Sequence, residues 1–575
     1  MPLLNIQVVI VGADPVGMLI AYNLARFGIS CLLTEANLEK SQWPKLDFTN
    51  CRTMEIFRMM GIADECRAQH EFSLNSPDQL QSSPTRNNDG TQATEPGQRC
   101  SLTVLEAWLR TKCLDEPSIE CRSGWKYVYH QETANQVDSS FVDADGNEHT
   151  VRSQYFVGAD GGSSSVRKNC GIKMHGASLP GAMFLVHFRS KELSSLRPFG
   201  RFRNMFSPSP GWIIDQGEPD TFTAHMPLKS PNQDTSKINP FEWVYQIAGG
   251  AGDPFRFEID EIIVTSAWCP DFAIAEHYIT PVGKVILAGD ACHCAPSHGA
   301  YGLNTGVEDA LALSWRLSAI LKGYGGPHLL PSYESEQRST MMHRLAHLYE
   351  HAQAQAQRPE LPLWETHGQS EFIANAVGGE ALRTYVKEQL DEAGSEHQER
   401  GVELDTRFKS AIIYKPLPSS DILPPPWNPK KYTPSTYPGH RAPHVFLQDG
   451  TTSILDYLGP EFTLVSFTSS SDDEHTDCSQ QANFFITLAQ EMGVAILNSL
   501  VVNEDHVRGV WGTNFALVRA DGHICWRGDQ VPAREETRHV LRVVLGWEVC
   551  PGYIETSPGT DLDIFRNEFP GTATS

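Results

Sequence analysis

The sequence predicts an α/β protein in which a βαβ-built domain is interrupted by a β-rich segment and followed by a second, smaller α/β unit. Three observations lead there. Val8-Val9-Ile10-Val11 is a buried strand by composition, and a glycine turn and apolar residues at helical spacing follow it. Two more strands ending in glycine turns lie far downstream, at 155–158 and 285–289. Between them, residues 175–275 alternate strand-like pieces with Pro/Gly turns; beyond the proline-rich stretch 417–443, strands and helices alternate again.

The first unit reads strand, turn, helix, strand. Gly12 and Gly17 bracket the turn, Ile20, Leu24 and Phe27 give the helix a face, and a second apolar run from Cys31 ends at Glu35. An acidic residue about 20 positions beyond the glycines is the arrangement that binds the ADP half of a dinucleotide. The helix N-terminus offers N–H groups and a positive dipole end to a pyrophosphate, and Glu35 would accept from ribose hydroxyls. Asp14 departs from G-x-G-x-x-G at the middle glycine, where it adds bulk and like-charge repulsion.

Next, Arg52 sits near the start of a helix that presents Met54, Phe57 and Met60 or Gly61 on one face and stops at Gly61. Residues 75–98 read as a mobile polar excursion, 102–113 as helix and 127–151 as short strands. In the β-rich segment the strands are 182–188, 211–215 and 222–225, with sparse helical signal. Residues 296–306 form a glycine-bearing loop, 307–321 a helix, and 330–400 are mostly helical. From His444 the order is strand 445–447, helix 453–458, strand 462–467, helix 480–491, then a hairpin around Ala520-Asp521-Gly522.

The length of 575 residues suffices for several domains. Seventy acidic against 46 basic residues give a net charge of −24, which repels nucleic acid and anionic membranes, so neither is an expected partner. No apolar run is long enough to span a bilayer. The 13 cysteines have no framework spacing, and no apolar signal segment precedes the first strand. They read as reduced thiols in a cytoplasmic setting. Cys292-His293-Cys294 with His298 invites a metal reading, but adjacent side chains project apart and no metal is expected. Cys478, Cys525 and Cys550 form no C-x-x-C, so the C-terminal unit is not expected to be a redox catalyst.

Three glycine-and-acid motifs thus lie at strand ends: 12–35, 158–167 and 289–306. Gly158-Ala159-Asp160-Gly161 with Ser165-Val166-Arg167 resembles the G-A-D-G motif of flavoprotein aromatic hydroxylases. Gly289-Asp290-Ala291-Cys292-His293 through Pro296 resembles their G-D-A-x-H-x-x-P motif, and the residues from Gly299 to Gly306 resemble their flavin-ring loop. Arg52-Thr53-Met54-Glu55 resembles their R-T-x-E helix. The chain also resembles the phenol hydroxylase branch, which carries a C-terminal thioredoxin-like domain. The resemblance covers nearly the whole chain.

It implies a Rossmann-like FAD-binding domain in two pieces (1–174 and 276–400), a β-rich substrate domain (175–275), a linker (401–443) and a thioredoxin-like domain (444–575) used for packing or homodimer contacts. It implies FAD, NADPH and dioxygen, a flavin C4a-hydroperoxide, and hydroxylation of a phenolic or polyketide-like aromatic small molecule. Carried over by motif, Gly12, Gly17 and Glu35 hold the ADP moiety, Arg52 a phosphate or the flavin region, and Asp290 the ribityl chain. Pro296 and the backbone of Gly302, Leu303 and Asn304 flank the isoalloxazine, and Asp160 serves cofactor site and architecture. Asp47, five residues before Arg52, matches the acid that deprotonates the phenol in phenol hydroxylases. Phe202, Phe206, Trp212 and Phe222 are candidates for the substrate cavity or for core.

Two departures fall at the pyrophosphate end: Asp14, and Leu102 where the family has a glutamine. They leave two alternatives beside the monooxygenase. One is a degenerate flavoprotein with weak or no FAD binding that catalyses a non-redox cyclisation or isomerisation. The other is a non-catalytic binding protein.

Overall fold

The computed structural model describes residues 4–38, 48–69, 88–178, 182–196, 202, 204–206, 211–230, 232–250, 253–269, 271–296, 300–356, 380, 384, 387, 399–415, 423–468, 472–494 and 497–554. The chain opens with β1 (Leu4–Val11), α1 (Pro15–Arg26) and β2 (Cys31–Glu35). Then come β3 (Phe48–Thr49), α2 (Cys51–Met59), β4 (Gln98–Arg99), α3 (Leu102–Asp115) and β5 (Ile119–Ser123). An antiparallel run follows, β6 (Lys126–Glu132), β7 (Val137–Val142) and β8 (Glu148–Gly158), and the short α4 (Ser165–Asn169) closes this part.

The β-rich stretch holds β9 (Met174–Ser178), β10 (Met183–Arg189), β11 (Asn204–Phe206), β12 (Trp212–Asp215), β13 (Thr221–Pro227), α5 (Pro240–Gly249), β14 (Glu261–Trp268) and β15 (Asp271–Ala275). The first domain resumes with β16 (Val285–Leu287), β17 (His293–Cys294), α6 (Tyr301–Leu321) and α7 (Leu329–Ala356). The last unit comprises β18 (Thr463–Phe467), α8 (Asp472–Glu491), β19 (Asn498–Val502), α9 (Asp505–Trp511), β20 (Phe515–Val518), β21 (Ile524–Gly528) and α10 (Arg534–Val544).

The main sheet runs β5-β2-β1-β8-β7-β6, and β16 pairs with the second half of β8. Val8, Val9 and Ile10 are fully buried; each such side chain contributes roughly 1.5–3 kcal/mol of hydrophobic stabilisation. The parallel register sets Val11 beside Gly158 and Gly158 beside Leu287. Neighbouring strands are about 4.8 Å apart, so three turns distant in sequence emerge side by side at one sheet edge. That is where open α/β sheets take ligands.

A second sheet, β11-β12-β13-β10-β14, packs α5 against its apolar face, with Phe184, Val186, Phe188, Ile213, Phe222 and Val244 in its core. The C-terminal unit is a β19-β18-β20-β21 sheet whose first pair is parallel and whose last two pairs are antiparallel. All thirteen cysteines are free thiols. No helix among the described residues is long and apolar enough to cross a membrane.

Several local expectations change. Residues 445–447 form only a bridge, Phe446 with Ser453, and 453–458 holds a 3-10 turn, Ile454–Tyr457, with a Ser453/Asp456 capping box. The helix expected from 307 starts at Tyr301, and Gly306 serves close packing there rather than a loop. A Cβ on Gly306 would meet Val16 Cγ2 at 2.5 Å. The proline-rich stretch is no loose tether: Tyr432, Arg441 and Ala442 are buried, and Arg441 bridges to His523. Residues 75–87 lie outside the described residues.

Candidate functional site: a cleft of three glycine loops

The three turns meet. One cleft of about 290 Å³ is lined by Asp14, Pro15 and Val16 from the first turn, Ala159 and Gly161 from the second, and Ala288 and Asp290 from the third. Leu102, Ala295, Pro296, Ala300, Gly302 and Leu303 complete it. Glycine is required where the turns touch. Gly12 has φ +105°, and a Cβ there would sit 2.2 Å from the Ala159 carbonyl oxygen. A Cβ on Gly17 would fall 1.9 Å from the Gly12 oxygen. Gly289, at φ +61°, lies against Val16.

Two helices start at the cleft. The first residue of α1 is a proline, which costs no hydrogen bond at that position. Asp14 is its N-cap, in extended backbone, and makes no side-chain cap bond. The N-cap of α6, Ala300, is buried and left-handed at φ +62°, an unfavoured conformation for a residue with a Cβ. Two positive helix ends therefore face one cleft, which suits a diphosphate.

Other side chains hold the turns in place. The Gly12 N–H donates to Thr34 O at 2.9 Å, and the Ala13 N–H to Glu35 Oε2 at 3.1 Å, so Glu35 sits against the first turn. Both Asp160 oxygens serve their own loop, accepting from the Ser164 hydroxyl and from the N–H groups of Ser165 and Val166. Arg167 donates to Ala291 O at 2.8 Å and Gly162 O at 3.0 Å, tying the second turn to the third. Asp309 on α6 accepts from the Gly289 N–H at 3.0 Å and faces His293 Nε2 at 2.7 Å, both side chains fully buried. Burial opposes charge on His293, but Asp309 outweighs it and pushes the imidazole pKa up. Cys292 lies within 4.8 Å of this pair. Burial and Asp309 push its thiol well up, away from the thiolate a metal needs.

The candidates from sequence thus separate. Asp290, Pro296, Gly302 and Leu303 line the cleft, and Gly12, Gly17 and Glu35 form the turn beside it. The Asn304 side chain clamps instead, accepting from Asn50 N and Thr53 Oγ1 and donating to the Phe48 and Ala300 carbonyls. Arg52 is buried and points to the C-terminal unit, donating to Glu55 at 2.5 Å and to Asp521 O at 2.7 Å. Asp47, His298 and Gly299 lie outside the described residues. Sequence reasoning missed Val16 and Ala300; only the apolar residue inside the first turn hinted at the former.

In the β-rich sheet, alternation divides the aromatic candidates. Phe222 is core, with Phe202 stacked on it. Trp212 lies on the other face, stacked on His225 at 5.1 Å, beside Thr223 and His187. Burial pushes His187 down to about 4, so it is neutral at physiological pH. The turn after β12 reaches the cleft wall, where the Ser101 hydroxyl donates to Glu218 Oε1 at 2.6 Å.

Residues 5–346 match the FAD binding domain family, and residues 435–547 the aromatic-ring hydroxylase C-terminal family. The chain belongs to the FAD-dependent monooxygenases of the aromatic-ring hydroxylase type. It is 34% identical to FAD-dependent monooxygenase apdD of Emericella nidulans, over 94% of this chain and 90% of that protein. It is 26% identical to phenol 2-monooxygenase of a Pseudomonas strain, over 92% and 91%. Among solved structures, the rebeccamycin biosynthetic enzyme RebC with reduced flavin superposes with TM-score 0.76 at 25% identity, over 95% of this chain and 100% of that one. Aklavinone-11 hydroxylase with FAD and aklavinone superposes with TM-score 0.73 at 25% identity, with the same coverage.

FAD fits this hydroxylase. Close backbone approach at Gly12 and Gly289 and two uncapped helix starts are what a dinucleotide needs. Asp14 lines the cleft, yet no cap bond from its carboxylate takes up the α1 terminus. Both departures from the family pattern, Asp14 and Leu102, border the same cleft.

Proposed function

We propose that this hydroxylase adds oxygen to a phenolic or polyketide-like aromatic small molecule, with NADPH as reductant and dioxygen as oxidant. The observation that carries the reading is the convergence of three glycine turns and two helix N-termini on one cleft. The relatives add the substrate class, since their names specify phenol, polyketides and aklavinone. Bound FAD would supply the redox and oxygen-transfer chemistry. The polypeptide binds, orients and shields. Gly12, Gly17 and Glu35 take the ADP end, and Asp290 accepts from the ribityl hydroxyls. Pro296 and the backbone of Gly302, Leu303 and Asn304 border the ring. Asp160 supports the site through its loop, and Arg52 through the helix it opens. Asp47 is the proposed base for the phenol. The Trp212, His225 and His187 face of the β-rich sheet is the proposed substrate wall.

The test is the absorbance spectrum of the purified protein with and without added FAD, followed by NADPH consumption with a panel of phenols. Flavin bands and substrate-dependent oxidation of NADPH are expected. A colourless protein that converts an aromatic substrate without NADPH would overturn the reading in favour of non-redox chemistry.

A further inference from the structure

At the amino end of β16, away from the glycine cleft, lies a cavity of about 970 Å³. Strand β16 separates it from the cleft, a span of roughly 10–15 Å from Lys284 to Ala288. Four cations line it: Lys284, Arg338, Lys409 and Lys415. The Lys284 ammonium lies 4.2 Å from the centroid of the Tyr155 ring, and Arg338 Nε donates to Ala275 O. Among the described residues, no carboxylate pairs with Lys284, Lys409 or Lys415.

The nearby acids are already engaged. Glu334, the one carboxylate in the lining among the described residues, accepts from the backbone of Tyr278 and Ile279 and faces His277. Glu132 accepts from the backbone of Lys284 and Val285 and from the Thr280 hydroxyl. Burial, aided by the Lys409 ammonium, pushes Lys415 below the usual lysine range. Such a concentration of positive charge is unexpected in a chain of net charge −24. Repulsion between the ammonium groups would be relieved by an anion. The rim is apolar: Val282, Trp547 and Ile554 line the cavity and rank among the exposed large hydrophobic residues.

We propose that this cavity binds a small organic anion with an aromatic or aliphatic body, at a site separate from the flavin cleft. The lysines recognise the charge, and Trp547 and its neighbours cover the body. Lys284 sits directly before β16, whose other end carries Gly289 and Asp290. An occupant would thus touch the strand that presents the third cleft turn.

The test titrates FAD-loaded full-length protein with the fluorescent anion anilinonaphthalenesulfonate and, in parallel, with its uncharged counterpart N-phenylnaphthylamine. Saturable binding of the anion is expected, tighter than the neutral probe by about tenfold or more, and weakened by salt. Replacing Lys409→Glu and Lys415→Glu together is expected to weaken the anion about tenfold while flavin content stays unchanged. If the double variant misfolds, exposed Lys409→Glu alone carries the test, with about a threefold loss expected. Equal affinity for both probes, or anion binding untouched by the charge reversals, would overturn the proposal.

Discussion

The glycine cleft and the interface between the first domain and the C-terminal unit handle polar groups in opposite ways. In the cleft, two carboxylates, Asp14 and Asp290, line an open space at which two helices start. At the interface, charges are buried and matched to one another. Glu336 accepts both Arg519 nitrogens, at 2.8 and 2.9 Å, and also pairs with Arg316. Asp521 accepts from Arg519 and from Trp315 Nε1. Glu55 is held by Arg441 and Arg52, and Arg52 reaches Asp521 O. Burial works against charge on Glu55, Glu336 and Asp521, yet the guanidinium groups around them hold all three below their usual values. The lesson is a division of labour: the cleft keeps its capacity for a ligand, while the interface spends its capacity on the protein.

The largest effect that would break this contrast is at Glu336. Glu336→Gln leaves two buried guanidinium groups, Arg316 and Arg519, to share the Asp521 carboxylate. We expect a loss of about 3–5 kcal/mol in urea unfolding, since removing one partner of a buried pair strands the other. FAD affinity of the folded fraction should be unchanged, because Glu336 is not among the residues that line the cleft. A loss below about 1 kcal/mol would mean that water reaches these charges.

pH sharpens the comparison, because the two regions titrate with opposite sign. Burial, with Arg407 for the first and Arg441 for the second, pushes His440 down to about 3 and His444 down to about 4. Both flank the interface residue Arg441. Unfolded histidine binds a proton near 6.5 that these two refuse when folded. Their stabilisation is complete above about pH 6.5 and is lost as pH falls towards 4. His293 in the cleft wall is raised instead, so its stabilisation is complete below about pH 6.5 and is lost as pH rises through the folded value. Hydrogen exchange, corrected for intrinsic rates, should loosen the 440–446 backbone on acidification and the 289–294 backbone in alkali. The same sign in both segments would refute the assignment. His444→Gln should flatten the acidic arm alone.

The same contrast explains what the sequence revealed. The cleft was legible because its signals are local: a β-branched run, a glycine, an acid, each within about 25 residues. Even the failures there were local. Gly302 and Gly306 read as loop, but they are helix residues, and Gly306 is kept small by Val16. The interface left no such trace. Glu55 and Arg441 are 386 positions apart, and Arg52 and Asp521 are 469 apart. An isolated arginine in a sequence resembles any solvated one, so Arg52 was read towards the cofactor through its motif. Its guanidinium in fact spans to the C-terminal hairpin. The proline-rich stretch read as linker for the same reason, since its composition does not disclose the buried Arg441 within it.

The smallest expected effect tests the cleft from within. Asp14 borders the place a diphosphate would take, and its charge opposes the two helix ends. Asp14→Asn removes the charge and keeps the shape. At an effective dielectric between those of water and a protein surface, one charge near 4 Å is worth about 1–4 kcal/mol. We therefore expect FAD to bind about tenfold tighter to the variant, measured by flavin fluorescence quenching. Stability should move by about 1 kcal/mol or less, because asparagine and aspartate serve about equally well at a helix N-cap. Asp14→Gly separates bulk from charge: any gain beyond that of the asparagine variant measures backbone approach alone. If neither substitution changes Kd, the carboxylate lies clear of the bound cofactor. The helix ends then set the affinity, and the departure from the glycine pattern has no cost.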